Sequence, residues 1–175
     1  MKNIKKNRIK ILLIILFMIL IFILGIIFIL DPAEYISFVF RNEMIMLLVG
    51  IISITFSTYC IYQFGNKLLN RNAMVFIDNS GISDKVNILD YPFISWENVS
   101  KIEECKINNV PHLKVFVNNP QYYIDQKNGL KKWMLNVNYQ RYQTPILLNS
   151  IYLVCSFNDF KRDILNSYIE YKRYD

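Results

Sequence analysis

The sequence predicts an α+β protein: an N-terminal transmembrane helical hairpin, then a domain of short antiparallel strands closed by a C-terminal α-helix. Three observations lead there. Two apolar runs of membrane-spanning length stand before residue 65; short alternating segments separated by turn residues follow; and an apolar stripe at helical spacing ends the chain.

The first run covers residues 11–30, where Gly25 alone is not a large apolar side chain. A helix of that length is about 30 Å long, the thickness of the hydrocarbon core. The basic leader Lys2, Lys5, Lys6, Arg8 and Lys10 would also suit a secretory signal. A signal's apolar region holds only about 7 to 15 residues and ends in small ones, whereas this run ends Ile29-Leu30-Asp31-Pro32. It reads as a retained membrane helix.

The second run covers residues 44–64 and carries Gly50, Ser53 and Ser57 at spacings of three and four, which put them on one helix face. Small residues allow close helix approach, so Gly25, Gly50, Ser53 and Ser57 form a predicted packing face. Packing within the hairpin is the plain expectation; a homodimer contact is the alternative. Lys and Arg stay on the cytoplasmic side during insertion. The leader holds basic groups and no acid, the loop of residues 31–43 holds Asp31, Glu34 and Glu43 against Arg41, and Lys67 and Arg71 follow the second span. Both termini therefore read as cytoplasmic, in a cell (inner) membrane.

The formal net charge is +6, but its distribution argues against nucleic acid. Residues 1–71 carry eight basic and three acidic groups, and residues 72–175 carry twelve and eleven. The basic excess thus belongs to membrane topology and anionic lipid. Cys60, Cys105 and Cys155 are widely spaced with no CxxC, as expected of reduced thiols facing the cytosol.

The domain is expected over residues 72–175. Residues 73–78 alternate as a strand, Asn79-Ser80-Gly81 supplies a turn, and Ile82 starts the return. Residues 86–89 and 93–96 read as further strands around an Asp90-Tyr91-Pro92 turn, and residues 95–100 as a tight corner. Residues 99–107 and 113–117 continue the meander. Asn119-Pro120 opens a helix to about Gln126; a second runs from Leu130 to about Asn138, with Leu130, Trp133 and Val137 on one face as packing residues. Residues 144–148 and 151–155 form a last hairpin around Asn149-Ser150. Ser156 and Asp159 cap a helix over residues 157–172 with Phe160, Ile164 and Tyr168 in a stripe.

With the stretch of residues 84–96 set aside, six strands before one amphipathic helix is close to the order of a pleckstrin-homology-like (PH-like) domain, whose seventh strand is expected within that stretch. The chain resembles a family of small bacterial membrane proteins with a two-helix hairpin followed by a PH-like domain. The resemblance rests on the double span, Phe76-Ile77-Asp78-Asn79-Ser80-Gly81-Ile82, Ile94-Ser95-Trp96-Glu97-Asn98-Val99, Lys101-Ile102-Glu103, Asn119-Pro120, Thr144-Pro145-Ile146 and Ser156. It implies a fold, a PH-like antiparallel β-barrel or sheet, and a location, but no particular activity.

His112 is the one histidine, so a histidine metal site or a nucleophile–histidine pair lacks partners, and no phosphate loop, GxGxxG, GxSxG or HExxH occurs. No catalytic residue, metal or cofactor is therefore predicted. Lys127, Lys131 and Lys132 are the candidate contacts to lipid headgroups, and Lys85, Lys101, Lys106 and Lys114 could line a lipid pocket if they converge. The aromatics Tyr122, Tyr123, Tyr139 and Tyr142 surround the helical insertion. The functional expectation is a non-enzymatic, membrane-anchored module whose partners are the lipid bilayer and a protein at the cytoplasmic face. Lipid-headgroup binding and immunity against a membrane-acting toxin are the alternatives.

Overall fold

The two apolar runs form α1 (Arg8–Leu30) and α2 (Glu43–Leu69). The computed structural model describes residues 2–35 and 42–174. The expected outer loop lies partly outside these, including Arg41; its described start is a 3-10 turn over Pro32–Tyr35. Asn42 caps α2, its Oδ1 accepting the Met44 N–H at 2.9 Å. α2 runs past residue 64, through Gly65, and ends at Asn70, whose N–H bonds the Asn66 carbonyl at 3.0 Å.

Close approach of the two backbones is set by glycine. A Cβ on Gly50 would stand 2.9 Å from the Gly25 carbonyl oxygen, and one on Gly25 would stand 3.0 Å from that of Gly50. Ser53 lies against Gly25, and the buried Ser57 returns its hydroxyl to the Ser53 carbonyl at 2.6 Å. All four small residues therefore sit on the side of the helices that the hairpin itself uses.

The leader departs from expectation. Lys2–Lys5 is a strand, β1, antiparallel to β2 (Met74–Ile77), with Lys2 opposite Ile77 and Lys5 opposite Met74. Ile4 points into the core, while Lys2 reaches Asp163 at 2.6 Å. Beyond the strand, Lys5 accepts the Val154 N–H at 3.1 Å and Asn7 donates to the Tyr152 carbonyl at 2.7 Å. The division at residue 71/72 is accordingly amended: one compact unit is Met1–Asn7 with Asn72–Asp175, and the other is Arg8–Arg71. Lys2, Lys5 and Lys6 thus join the domain's twelve basic groups, so it is not near neutral as expected. Their charge hid a period of two that contains a single apolar residue.

β3 (Gly81–Asp84) and β4 (Tyr91–Ser95) complete a sheet of order β1-β2-β3-β4. The β2–β3 turn is organised by Asp78, whose Oδ1 accepts from Ser80 N (2.9 Å), Ser80 Oγ (2.7 Å) and Gly81 N (2.9 Å). Gly81 is required there, since a Cβ would lie 2.3 Å from the Ile94 carbonyl oxygen. The strand expected at residues 86–89 is absent. Asp84 Oδ1 takes the N–H groups of Val86 and Asn87, and Asn87 Oδ1 takes that of Leu89, so side chains hold this segment as successive turns.

β5 (Val99–Ile107), β6 (Val110–Val117) and β7 (Ile146–Leu148) form the second sheet. The β5–β6 turn is the pair Asn108-Asn109, both left-handed at φ 49° and 63°, tighter than the expected four-residue link. The hairpin expected around Asn149-Ser150 is also absent, because Leu153 bridges to Lys6 of the leader instead. Residues 84–96 do hold a strand, β4, and the N-terminus supplies one that was not expected, β1. Among the described residues no ladder joins the two sheets, so the barrel is not closed.

α5 (Phe157–Tyr174) lays Phe160 and Ile164 into the common core. Ser156 Oγ accepts the Asp159 N–H at 3.1 Å, and the Tyr168 hydroxyl donates to the Val99 carbonyl at 3.1 Å. Trp96 is fully buried; its ring lies 5.7 Å from that of Tyr168 and its Nε1 donates to the Asp78 carbonyl at 2.9 Å.

Ile4→Ala should cost about 2 kcal/mol, since it empties a core position on an edge strand. Urea unfolding in detergent, followed by tryptophan fluorescence, measures it. Burial alone would raise the Asp78 carboxyl, but the bonds from Ser80 and Gly81 outweigh it and leave it lowered. Its contribution is thus present above the ordinary carboxylate value of about 3.9 and is lost as pH falls through the lowered one. Asp78→Asn should flatten the acid limb of stability against pH, read as the unfolding midpoint between about pH 5 and 2.

Candidate functional site

Where the two sheets fail to join, a side chain takes the place of a ladder. Tyr91, at the start of β4, is fully buried; its hydroxyl accepts the Leu147 N–H at 3.1 Å and donates to the Pro145 carbonyl at 3.3 Å. These belong to β7 and to the residue just before it, on the side away from β6. Burial pushes the phenol well above the ordinary tyrosine range, so it stays a donor. The sequence reading put Tyr91 in a turn; nothing in its spacing marks this role.

Beside this seam lies a cleft of about 230 Å³ between β7 and α4 (Gly129–Tyr142). Its polar wall is Asn87, His112, Asn138, Tyr142, Asn149 and Tyr152, and its apolar wall includes Leu89, Ile107, Met134 and Leu147. Among the described residues no Lys, Arg, Asp or Glu lines it.

His112 lies in β6 with both ring nitrogens engaged. Its Nδ1 lies 2.9 Å from the Val110 carbonyl and its Nε2 lies 3.1 Å from Asn149 Nδ2. A carbonyl can only accept and an amide nitrogen can only donate, so in this arrangement Nδ1 donates and Nε2 accepts. Asn149 Oδ1 in turn accepts the Ile151 N–H at 3.1 Å. Both ring nitrogens are occupied in fixing the cleft wall, and among the described residues no group of three potential metal ligands occurs.

A second feature is the outer face of the insertion. α3 (Pro120–Asp125) starts on the expected cap, with Asn119 Oδ1 accepting the Tyr122 N–H at 3.2 Å. Just before it, the Asn118 N–H bonds the Asn98 carbonyl at 2.9 Å. α4 buries Leu135, yet Trp133 is 61 % exposed, Leu130 47 % and, on α3, Tyr122 58 %. Leu130, Trp133 and Val137 were expected to pack; Leu130 and Trp133 instead face outward, because the core takes the opposite side of the helix through Leu135.

The candidate lysines do not form a basic pocket. Lys132 pairs with Asp125 at 2.8 Å, Lys131 is half-buried, and Lys127 stands in the α3–α4 turn. Lys101 and Lys114 both pair with Glu103 and lie over Phe116, while Lys85 lies over Phe76 in the other sheet. Comparison with protein-family models, curated proteins and solved structures gives no match. The site therefore rests on its own geometry.

Tyr91→Phe should destabilise the domain by about 1–3 kcal/mol, because it strands a buried N–H and a buried carbonyl. The same denaturation assay reads it, and the loss should exceed that of Tyr142→Phe, whose hydroxyl makes no bond among the described residues.

Proposed function

We propose that the protein is a non-enzymatic module that α1 and α2 anchor in a bacterial inner membrane, with a PH-like domain holding a protein partner at the cytoplasmic face. Two helices long and apolar enough to cross a membrane support the anchor, and their exposed Leu13, Leu16, Phe17 and Ile52 suit contact with lipid. The β1–β2 pair supports two crossings, since strands bond only within one compartment and an even number of spans returns the chain to its starting side. A four-strand sheet, a three-strand sheet and a closing helix support the PH-like reading.

The observation that carries the partner is the exposed aromatic face of α3 and α4. A tryptophan directed away from the core, beside an exposed leucine and tyrosine, matches the composition of protein interface centres. Lipid-headgroup recognition has less support, because Lys101, Lys114 and Lys132 are already paired with acids.

A photoreactive phenylalanine analogue replacing Trp133 in the full-length chain should give one discrete protein adduct in native membranes. Trp133→Ser should abolish co-purification of that protein while leaving the unfolding midpoint within about 0.5 kcal/mol of wild type. Adducts to lipid alone would transfer the role to headgroup contact.

A further inference from the structure

We infer that the cleft between β7 and α4 is a binding site for a small uncharged ligand carrying a carboxamide or similar hydrogen-bonding group on an apolar body. The inference rests on what the fold leaves unused. Tyr91, His112 and Asn149 spend their polar atoms on holding the walls. Asn87 uses its oxygen on Leu89, and Asn138 directs its amide nitrogen to the Pro145 carbonyl at 3.5 Å. Among the described residues this leaves the Asn87 amide nitrogen as a donor, the Asn138 oxygen as an acceptor, and the Tyr142 hydroxyl as either. A donor from Asn87 and an acceptor from Asn138 in the lining of one cleft complement a carboxamide, which offers one of each.

The apolar wall and the lack of charge set the rest of the chemistry. Met134 and Leu147 favour a short aliphatic body. A carboxylate, phosphate or ammonium entering here would lose water without gaining a counter-charge, so ionised ligands are selected against. The volume of about 230 Å³ lies below the ~300–1,000 Å³ of sites for drug-sized molecules, which limits the ligand to the size of a capped amino acid.

The cleft is also attached to the chain's membrane connection. Tyr152, in its wall, accepts the N–H of Asn7 at 2.7 Å, and α1 begins at the next residue.

The test uses the full-length protein in phosphatidylcholine nanodiscs with ¹³C-methyl methionine, following the Met134 resonance, which Met134→Leu assigns. Three leucine derivatives are compared: neutral N-acetyl-leucinamide, anionic N-acetyl-leucine, and cationic leucinamide, which lacks the acetyl group. The neutral probe should shift Met134 saturably, and each ionised probe should bind at least about tenfold more weakly. Asn138→Leu should abolish the shift, and Tyr142→Phe, which preserves shape, should weaken binding about threefold to tenfold. Absence of a saturable shift, equal binding of the three probes, or unchanged affinity in both variants would overturn the inference.

Discussion

A four-residue strand pairing governs the architecture. Lys2–Lys5 beside Met74–Ile77 makes the long helical pair an insertion between the first two strands of a sheet, not an extension added in front of a domain. Closing a flexible loop of that length costs roughly 4 kcal/mol in chain entropy. A packed hairpin reduces this, because α1 and α2 return the chain to its starting level, and the mutual fit of Gly25 and Gly50 keeps them together. Once β1 is in place its neighbours are defined: Lys2 finds Asp163 of α5, Lys6 finds Leu153, and Asn7 finds Tyr152.

The second constraint is the seam that no ladder closes. Two sheets packed around one core leave strand edges, and each edge here is answered differently. Tyr91 occupies the outward groups of β7 and of the residue just before it. β5 presents Lys101, Glu103, Glu104 and Lys106 along its length, a charged edge that discourages further strand addition, and Lys161 of α5 pairs with Glu104. β1 is an edge of lysines and asparagine with a single buried isoleucine. The cleft exists because the seam is held by one phenol and not by a row of backbone bonds.

Much of this was legible in the sequence where local chemistry decides. The spans follow from length and hydropathy, the Asn119-Pro120 helix start from cap chemistry, the strand over residues 99–107 from alternation, and the last helix from its stripe and the Ser156 cap. The failures share a physical cause. Whether Lys2–Lys5 is a strand depends on a partner some seventy residues away, and a short lysine-rich segment shows no pattern strong enough to reveal it. Residues 86–89 have strand-like composition, but Asp84 and Asn87 capture their N–H groups first. The cleft was illegible for a similar reason. Asn87, His112, Asn138 and Asn149 come from four separate segments, and asparagines scattered through loops read individually as turn residues.

The position of the insertion also sets an order of events during synthesis. Lys2–Lys5 is synthesised before both apolar helices, and Met74–Ile77, its strand partner, only after them. At about 5–20 residues per second that interval is several seconds. Throughout it the leader is an orphan strand on a nascent chain whose next segment is long and apolar enough to cross a membrane. Its lysines suit that interval, since they keep the strand hydrated, resist its transfer across the membrane and disfavour pairing with another chain. The same charges that hid the strand from a sequence reader protect it until its partner is translated.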